Sequence, residues 1–267
     1  MQTWLLGVLL LVYLLIFVGG ITRLTGSGLS ITEWQPIRGI LPPLTQSHWA
    51  EAFRTYQETH EFQYVNRGMN LDEFKTIYWW EWSHRFLARL TGAILLIPFL
   101  FLLAAGRLKG KLHFKILGVI FLFALQSGVG WWMVTSGLWS AANVSHKRLS
   151  IHLALASLIV LTISALISGL SPKTDSSPGR SARLLSGIFL FFLWEQIVLG
   201  GLVAGLHAGK MFNTWPLLDG QLIPNGLLLI SPAWRNLLEN PKAILFLHRL
   251  LPYVLCLAAA VNAALQW

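Results

Sequence analysis

Six apolar runs, at about residues 4–21, 78–105, 116–134, 149–170, 184–206 and 243–265, constrain this chain more than any other feature. A helix needs roughly 20 apolar residues to cross about 30 Å of hydrocarbon. Backbone polar groups in lipid must also be satisfied within the segment, so runs of this kind fold as helices. The expected fold class is an all-α integral membrane protein with six transmembrane helices. Composition agrees: 55% of residues are hydrophobic and 12% charged, against about a quarter charged in soluble domains. The stretch from Leu227 to Ile230 is too brief to span and reads as an interfacial loop element.

The first run starts almost at Met1, with no basic segment before it and no A-x-A cleavage pattern behind it, so it reads as a retained helix. No Arg- and Ser-rich transit peptide precedes it, which favours a bacterial inner membrane over a mitochondrial one. Cys256 is the single cysteine and lies in the last run, which excludes a disulfide within one chain. The net charge of +9 could point to nucleic acid, but the basic residues sit at the membrane edge. Arg107, Lys109, Lys111 and Lys115 follow the second run, and Lys173, Arg180 and Arg183, against Asp175, follow the fourth. By the positive-inside rule both short loops are cytoplasmic, as are both termini. Segments 22–77 and 207–242, and the short one around Lys147, then face outward.

Two stretches match at an offset of about 181 residues, GGITRLTGSGLSITEWQPIRGILPP from Gly19 and GGLVAGLHAGKMFNTWPLLDGQLIP from Gly200. After each comes a loop and then a run holding a His-Arg pair, His84-Arg85 or His248-Arg249. Duplication of this kind often places a site in each half. The Gly-rich ends of the first and fifth runs either allow close helix contact or end the helix. The first repeat, residues 1–170, forms a four-helix bundle, and residues 182–267 form an incomplete second repeat of two helices, half of a duplicated bundle. If the duplication was complete, roughly 70–90 residues are absent from the second repeat. The expectation is then a truncated form, or a bundle completed by a separate chain.

Five histidines, His48, His60, His113, His146 and His207, fall in loops or at run ends and read as solvated or interfacial. His84, His152 and His248 each lie a few positions inside the outer start of an even-numbered run, so at about 1.5 Å per residue they share a depth. Ionisable residues inside a membrane are costly and mark functional sites. Neutral imidazole is a common axial ligand of haem iron, and a helix bundle is a usual place to hold a porphyrin. Zinc is the competing ligation, weakened by the lack of a nearby cysteine or His-rich cluster.

Glu81 precedes His84 by three residues, so both share one helix face. Its carboxylate either acts on a substrate lying against the ring that His84 ligates, or pairs with Arg85 or Arg89. Arg85, Arg89 and Arg249 either meet porphyrin propionates or snorkel to headgroups. Tyr78, Trp79, Trp80 and Trp82 read mainly as an interfacial aromatic belt. Glu195, beside Gln196, reads as a protonated interhelical donor.

These runs, together with FKTIYWWEWSHRFLARLTG and NVSHKRLSIHLALA, resemble the haem A synthase family of mitochondrial and alphaproteobacterial type over nearly the whole chain. The resemblance implies an inner-membrane oxidoreductase that converts haem O to haem A by oxidising a porphyrin methyl to a formyl group through hydroxylated intermediates. It implies two four-helix units: the first holds substrate haem O through His84 and His152 with Glu81 in the chemistry, and the second holds a haem b cofactor through His248. The second ligand of that cofactor has no match in this sequence. Activity is then impaired if the chain is truncated. The cysteine pairs of other branches have no counterpart here. The implied partners are the lipid bilayer, haem O synthase and the cytochrome oxidase assembly machinery, with an oligomer left open and nucleic acid excluded. A non-catalytic bis-His b-type cytochrome and a haem-binding oxidase assembly factor are the alternatives. Electron transfer would need the histidines but not Glu81.

Overall fold

A computed structural model describes residues 1–35, 38–108, 110–138, 142–172 and 179–264, apart from the side chains of Arg38 and Asn262. Lys109, Lys173 and Asp175, which enter the orientation argument, lie outside the described residues, as does the end of the second repeat at 265–267. The described residues are helical without a named strand. Among the described residues six helices are long and apolar enough to cross a membrane, and the chain is a multi-pass membrane protein. They are α1 (Gln2–Leu24), α4 (Leu71–Ala104), α5 (Leu112–Leu138), α6 (His146–Leu170), α7 (Arg180–Gly205) and α10 (Pro241–Ala264). Short helices α2 (Gln46–Gln57) and α3 (His60–Tyr64) lie between the first two spans, and α8 (Ala208–Met211) and α9 (Asn236–Glu239) between the last two.

Helices outrun their apolar stretches because polar residues continue the turn beyond hydrocarbon depth. The second span begins at Leu71 rather than near residue 78, where Asn70 and Glu73 form a reciprocal capping box. Hydropathy cannot see such a start. At the other end of that loop α1 closes on Gly26, whose φ of 65° turns the chain. Ser27 N–H there donates to the carbonyl of Thr22 at 2.9 Å. The segment Leu227–Ile230 is non-helical, with Leu228 and Leu229 exposed.

The chain divides into two compact units, Met1–Val144 with Leu158–Ser171, and Ser145–Ser157 with Pro172–Trp267. The division runs through α6. In the first unit an apolar core joins Leu5, Val8 and Val12 of α1, Leu95 of α4, Val119 of α5 and Ile159 and Ile163 of α6. A second cluster under the long loop, Tyr56, Phe74, Ile77 and Tyr78, seats α2 and α3 on the start of α4. In the second unit Ala208, Leu218 and Leu245 hold the loop after α7 against α10.

Candidate functional site

The duplication seen in sequence is repeated in side-chain geometry. The His84 ring lies on Gly19 of α1, where an added Cβ would meet its Cε1 at 3.0 Å. The His248 ring lies on Gly200 of α7 in the same way, at 3.3 Å. The main-chain carbonyl of Leu15, four residues before Gly19, faces the first ring, and that of Gln196, four before Gly200, faces the second. Only glycine leaves room for an imidazole this close to a neighbouring helix. In both rings Nδ1 is buried without a hydrogen-bond partner. His84 belongs to the first unit, and His152 and His248 to the second.

The arginines that follow are clamps. Arg85 donates through Nη2 to the carbonyl of Ile31 (2.9 Å) and through Nη1 to that of Glu33 (3.0 Å). Arg249 donates through Nη2 to the carbonyl of Phe212 (2.9 Å) and through Nη1 to that of Thr214 (2.6 Å). Ile31 and Glu33 are the repeat equivalents of Phe212 and Thr214, so each arginine ties the loop that follows the glycine cradle to the helix that carries the histidine. Arg89 adds a third clamp, to the carbonyl of Gln35 at 3.0 Å. The guanidinium fork suits this task because its donors diverge in one plane. Sequence alone offered propionates or headgroups as partners. It gave no sign that the loop's own carbonyls would take these donors.

The two units differ at one position that matters chemically. Glu81 is 3% exposed, and all of its acceptor capacity is engaged. Oε2 accepts from the Ser30 hydroxyl (2.7 Å) and the Ile31 N–H (2.9 Å), and Oε1 from Arg85 Nε (3.1 Å) and Nη2 (2.7 Å). The pairing with Arg85 weighed from the sequence is present. In the second unit the equivalent of Glu81 is Leu245, buried in an apolar cluster, and the equivalent of Ser30 is Met211. Acid and donor are lost together, which leaves the second cradle without a carboxylate. This covariation was visible in the repeat itself.

Glu195 is half-buried, and among the described residues it has no hydrogen-bond or ion-pair partner, so the interhelical hydrogen bond expected of it is not made. Gln196 beside it donates to the main-chain carbonyl of His248 at 3.0 Å. The aromatic belt divides: Trp79 and Trp80 are exposed, while Tyr78 is buried in the loop cluster. Among the described residues no group of three or more His, Cys, Asp or Glu side chains could hold a bare metal ion.

A family model described as "Cytochrome oxidase assembly protein" matches residues 2–267. The chain belongs to this cytochrome oxidase assembly family (COX15-CtaA). It is 47% identical over 264 residues to proteins named heme A synthase from Brucella ovis and Brucella suis, covering 99% of this chain and 74% of each relative. A heme A synthase from Brucella anthropi is 45% identical with the same coverage. No solved structure matches the chain. The glycine cradles, arginine clamps and the buried Glu81 are therefore features of a family member whose curated relatives carry one enzyme name.

Proposed function

We propose that this chain is a haem A synthase, with haem O as substrate of the first unit and haem b as cofactor of the second. The observation that carries this reading is the pair of glycine-cradled histidines, alike in both units, beside a buried carboxylate present only in the first. A buried imidazole nitrogen with no hydrogen bond, pressed against a glycine, fits a haem-iron ligand better than a structural polar group. His84, His152 and His248 are assigned as ligands. The same residues would serve a non-catalytic cytochrome, which gives no reason for Glu81 to be buried three residues from His84 in one cradle and replaced by leucine in the other.

When bound, haem b supplies a redox-active iron through which electrons can leave the site. The chain's own residues do the rest. His84 fixes the substrate ring, and the oriented Glu81–Arg85 pair sets a field at the ring edge where charge develops as the methyl is oxidised. Because its acceptor positions are filled, Glu81 is assigned this electrostatic task rather than proton abstraction. Arg85 and Arg249 hold the loop over each ring, with their charge available to porphyrin propionates. The bacterial inner membrane, with termini cytoplasmic and segments 22–77 and 207–242 outside, is supported by Arg107 and Lys111 in one short loop and Lys115 in the first turn of α5. Haem O synthase and the oxidase assembly machinery are the proposed partners.

The test is expression in a host that makes haem O, followed by chromatography of extracted haems. Haem A should appear with the wild-type chain and be lost with His84→Ala. Haem A formation by His84→Ala at the wild-type level sinks the assignment. A finer prediction concerns the cradle. In Gly19→Ala the new Cβ must displace the ring, at an overpacking cost of about 1 kcal/mol, so haem retention should fall about fivefold. Gly200→Ala, with its wider 3.3 Å approach, should fall less. Haem absorbance per mole of purified protein reads both, and a reversed order contradicts the cradle geometry.

A further inference from the structure

A second buried carboxylate lies at the long-loop end of the first unit and has no part in the mechanism above. Glu61, on α3, is 7% exposed. Its Oε2 accepts from the Tyr56 hydroxyl at 3.0 Å, and that hydroxyl accepts from the Asn66 amide at 2.7 Å. Three ionisable side chains from the elements around it act on it: Tyr56 of α2, Arg23 at the end of α1, and Glu81 of α4. Helix α5 also packs on α3; its ionisable residues, His113 and Lys115, lie in its first turn, and its last stretch, residues 131–138, has none.

The two glutamates face each other electrostatically from opposite environments. Glu81 has four donors and no acceptor position left for a proton. Glu61 has one neutral hydrogen-bond donor, Tyr56, and charged neighbours of opposite sign, Glu81 and Arg23. Where two acids that feel each other's charge are held so differently, the acid–base work and the fixed charge divide between them.

We propose that Glu61, not Glu81, exchanges protons with the first-unit site, taking protons released as the substrate is oxidised and passing them to water at the long-loop face. The proposal rests on the haem A synthase reading. Converting a methyl and one water to a formyl group releases four electrons and four protons. The electrons go to the external redox carrier that this activity already requires. In each proton step an O–H or C–H bond of water or substrate breaks, and the proton reaches the Glu61 carboxylate directly or through water. Glu61 then loses it to solvent and is restored. Arg23 favours the ionised form, and the Tyr56 hydrogen bond keeps the carboxylate oriented.

Burial pushes the Glu61 carboxyl up to about 7, Glu81 adds to the rise, and Tyr56 and Arg23 oppose it. An acid that must accept protons works when ionised, so the initial rate of haem A formation in membranes should rise as pH passes through about 7. Glu61→Gln, which can still accept from Tyr56, should be at least about tenfold slower and lose that rise. Glu61→Asp should retain it. Tyr56→Phe removes a hydrogen bond to the ionised form and should move the rise to higher pH. Infrared difference titration of the purified full chain supplies a readout without turnover. A protonated-carboxyl band should vanish between about pH 5.5 and 8.5, be absent in Glu61→Gln, and vanish at higher pH in Tyr56→Phe. A wild-type rate and pH profile for Glu61→Gln overturns the proposal, as does an infrared titration unchanged in that variant. If Glu61→Gln fails to accumulate, the Tyr56→Phe shift decides, and no shift overturns it. Glu81→Gln separates the two levels: undiminished product there defeats the site reading, whereas its loss beside an unaltered Glu61→Gln defeats only this inference.

Discussion

Arg85→Ala is expected to destabilise the protein by about 3–5 kcal/mol, the usual range for breaking a buried ion pair by removing one partner. The substitution leaves the Glu81 carboxylate with the Ser30 and Ile31 donors alone, and frees the loop carbonyls of Ile31 and Glu33. Arg249→Ala removes two carbonyl contacts and strands no acid, so it should cost about 1–3 kcal/mol. Thermal unfolding in detergent compares them, and equal losses would show that the Glu81 charge adds nothing. A third variant makes the argument sharper. Ser30→Met with Glu81→Leu copies the second unit's own solution, in which both polar partners become apolar. Arg85 then keeps only the Ile31 and Glu33 carbonyls, as Arg249 keeps those of Thr214 and Phe212, and no buried acid is stranded. This variant should melt near wild type, or at least well above Arg85→Ala, and yet make no haem A. Product from it would remove Glu81 from the chemistry.

How much of this was legible in the sequence depends on the physics behind each feature. The spans were legible because lipid permits few alternatives, and the histidines because an ionisable group at membrane depth needs a reason. The repeat pairs Gly19 with Gly200 in plain sight, but that these glycines seat His84 and His248 is a contact between helices that no local pattern records. The arginine clamps were hidden for a related reason. A main-chain carbonyl accepts a hydrogen bond whatever its side chain, so Ile31, Glu33, Phe212 and Thr214 carry no sign of their role. Glu61 was the hardest to see. Tyr56, Glu61 and Asn66 are spaced by five, which matches neither helix nor strand period, and only the fold of α2 and α3 onto α4 buries them together. The one available signal was the joint change of Ser30 to Met211 and Glu81 to Leu245, which marks where the two units part in chemistry.

The last expectation concerns helix contact in the second unit, where association cannot draw on hydrophobic burial because lipid is as apolar as the helix surface. Close approach of backbones takes over, and Gly201 and Gly205 provide it. An added Cβ at Gly205 would lie 2.5 Å from Cα of His146, and one at Gly201 would lie 2.8 Å from Cα of Ser150. These are main-chain atoms, so no rotamer change relieves them and α7 must move away from the start of α6. That movement pulls on the Ser150 hydroxyl bond to the Val198 carbonyl (2.7 Å) and on the Trp194 indole bond to the Ala154 carbonyl (3.2 Å). Gly20, the repeat equivalent of Gly201, has nothing within 4 Å of an added Cβ. Gly205→Ala should therefore be the most damaging, costing about 3 kcal/mol at the upper end of overpacking effects, with Gly201→Ala close behind. Gly20→Ala should be neutral or stabilising by about 0.5–1 kcal/mol through helix propensity. The surviving monodisperse fraction after heating in detergent measures the order. Because His152 follows Ser150 by two residues on the same helix, the two damaging variants should also lose haem in proportion to their displacement of α6. Full haem content in Gly205→Ala would mean that this helix contact does not position His152.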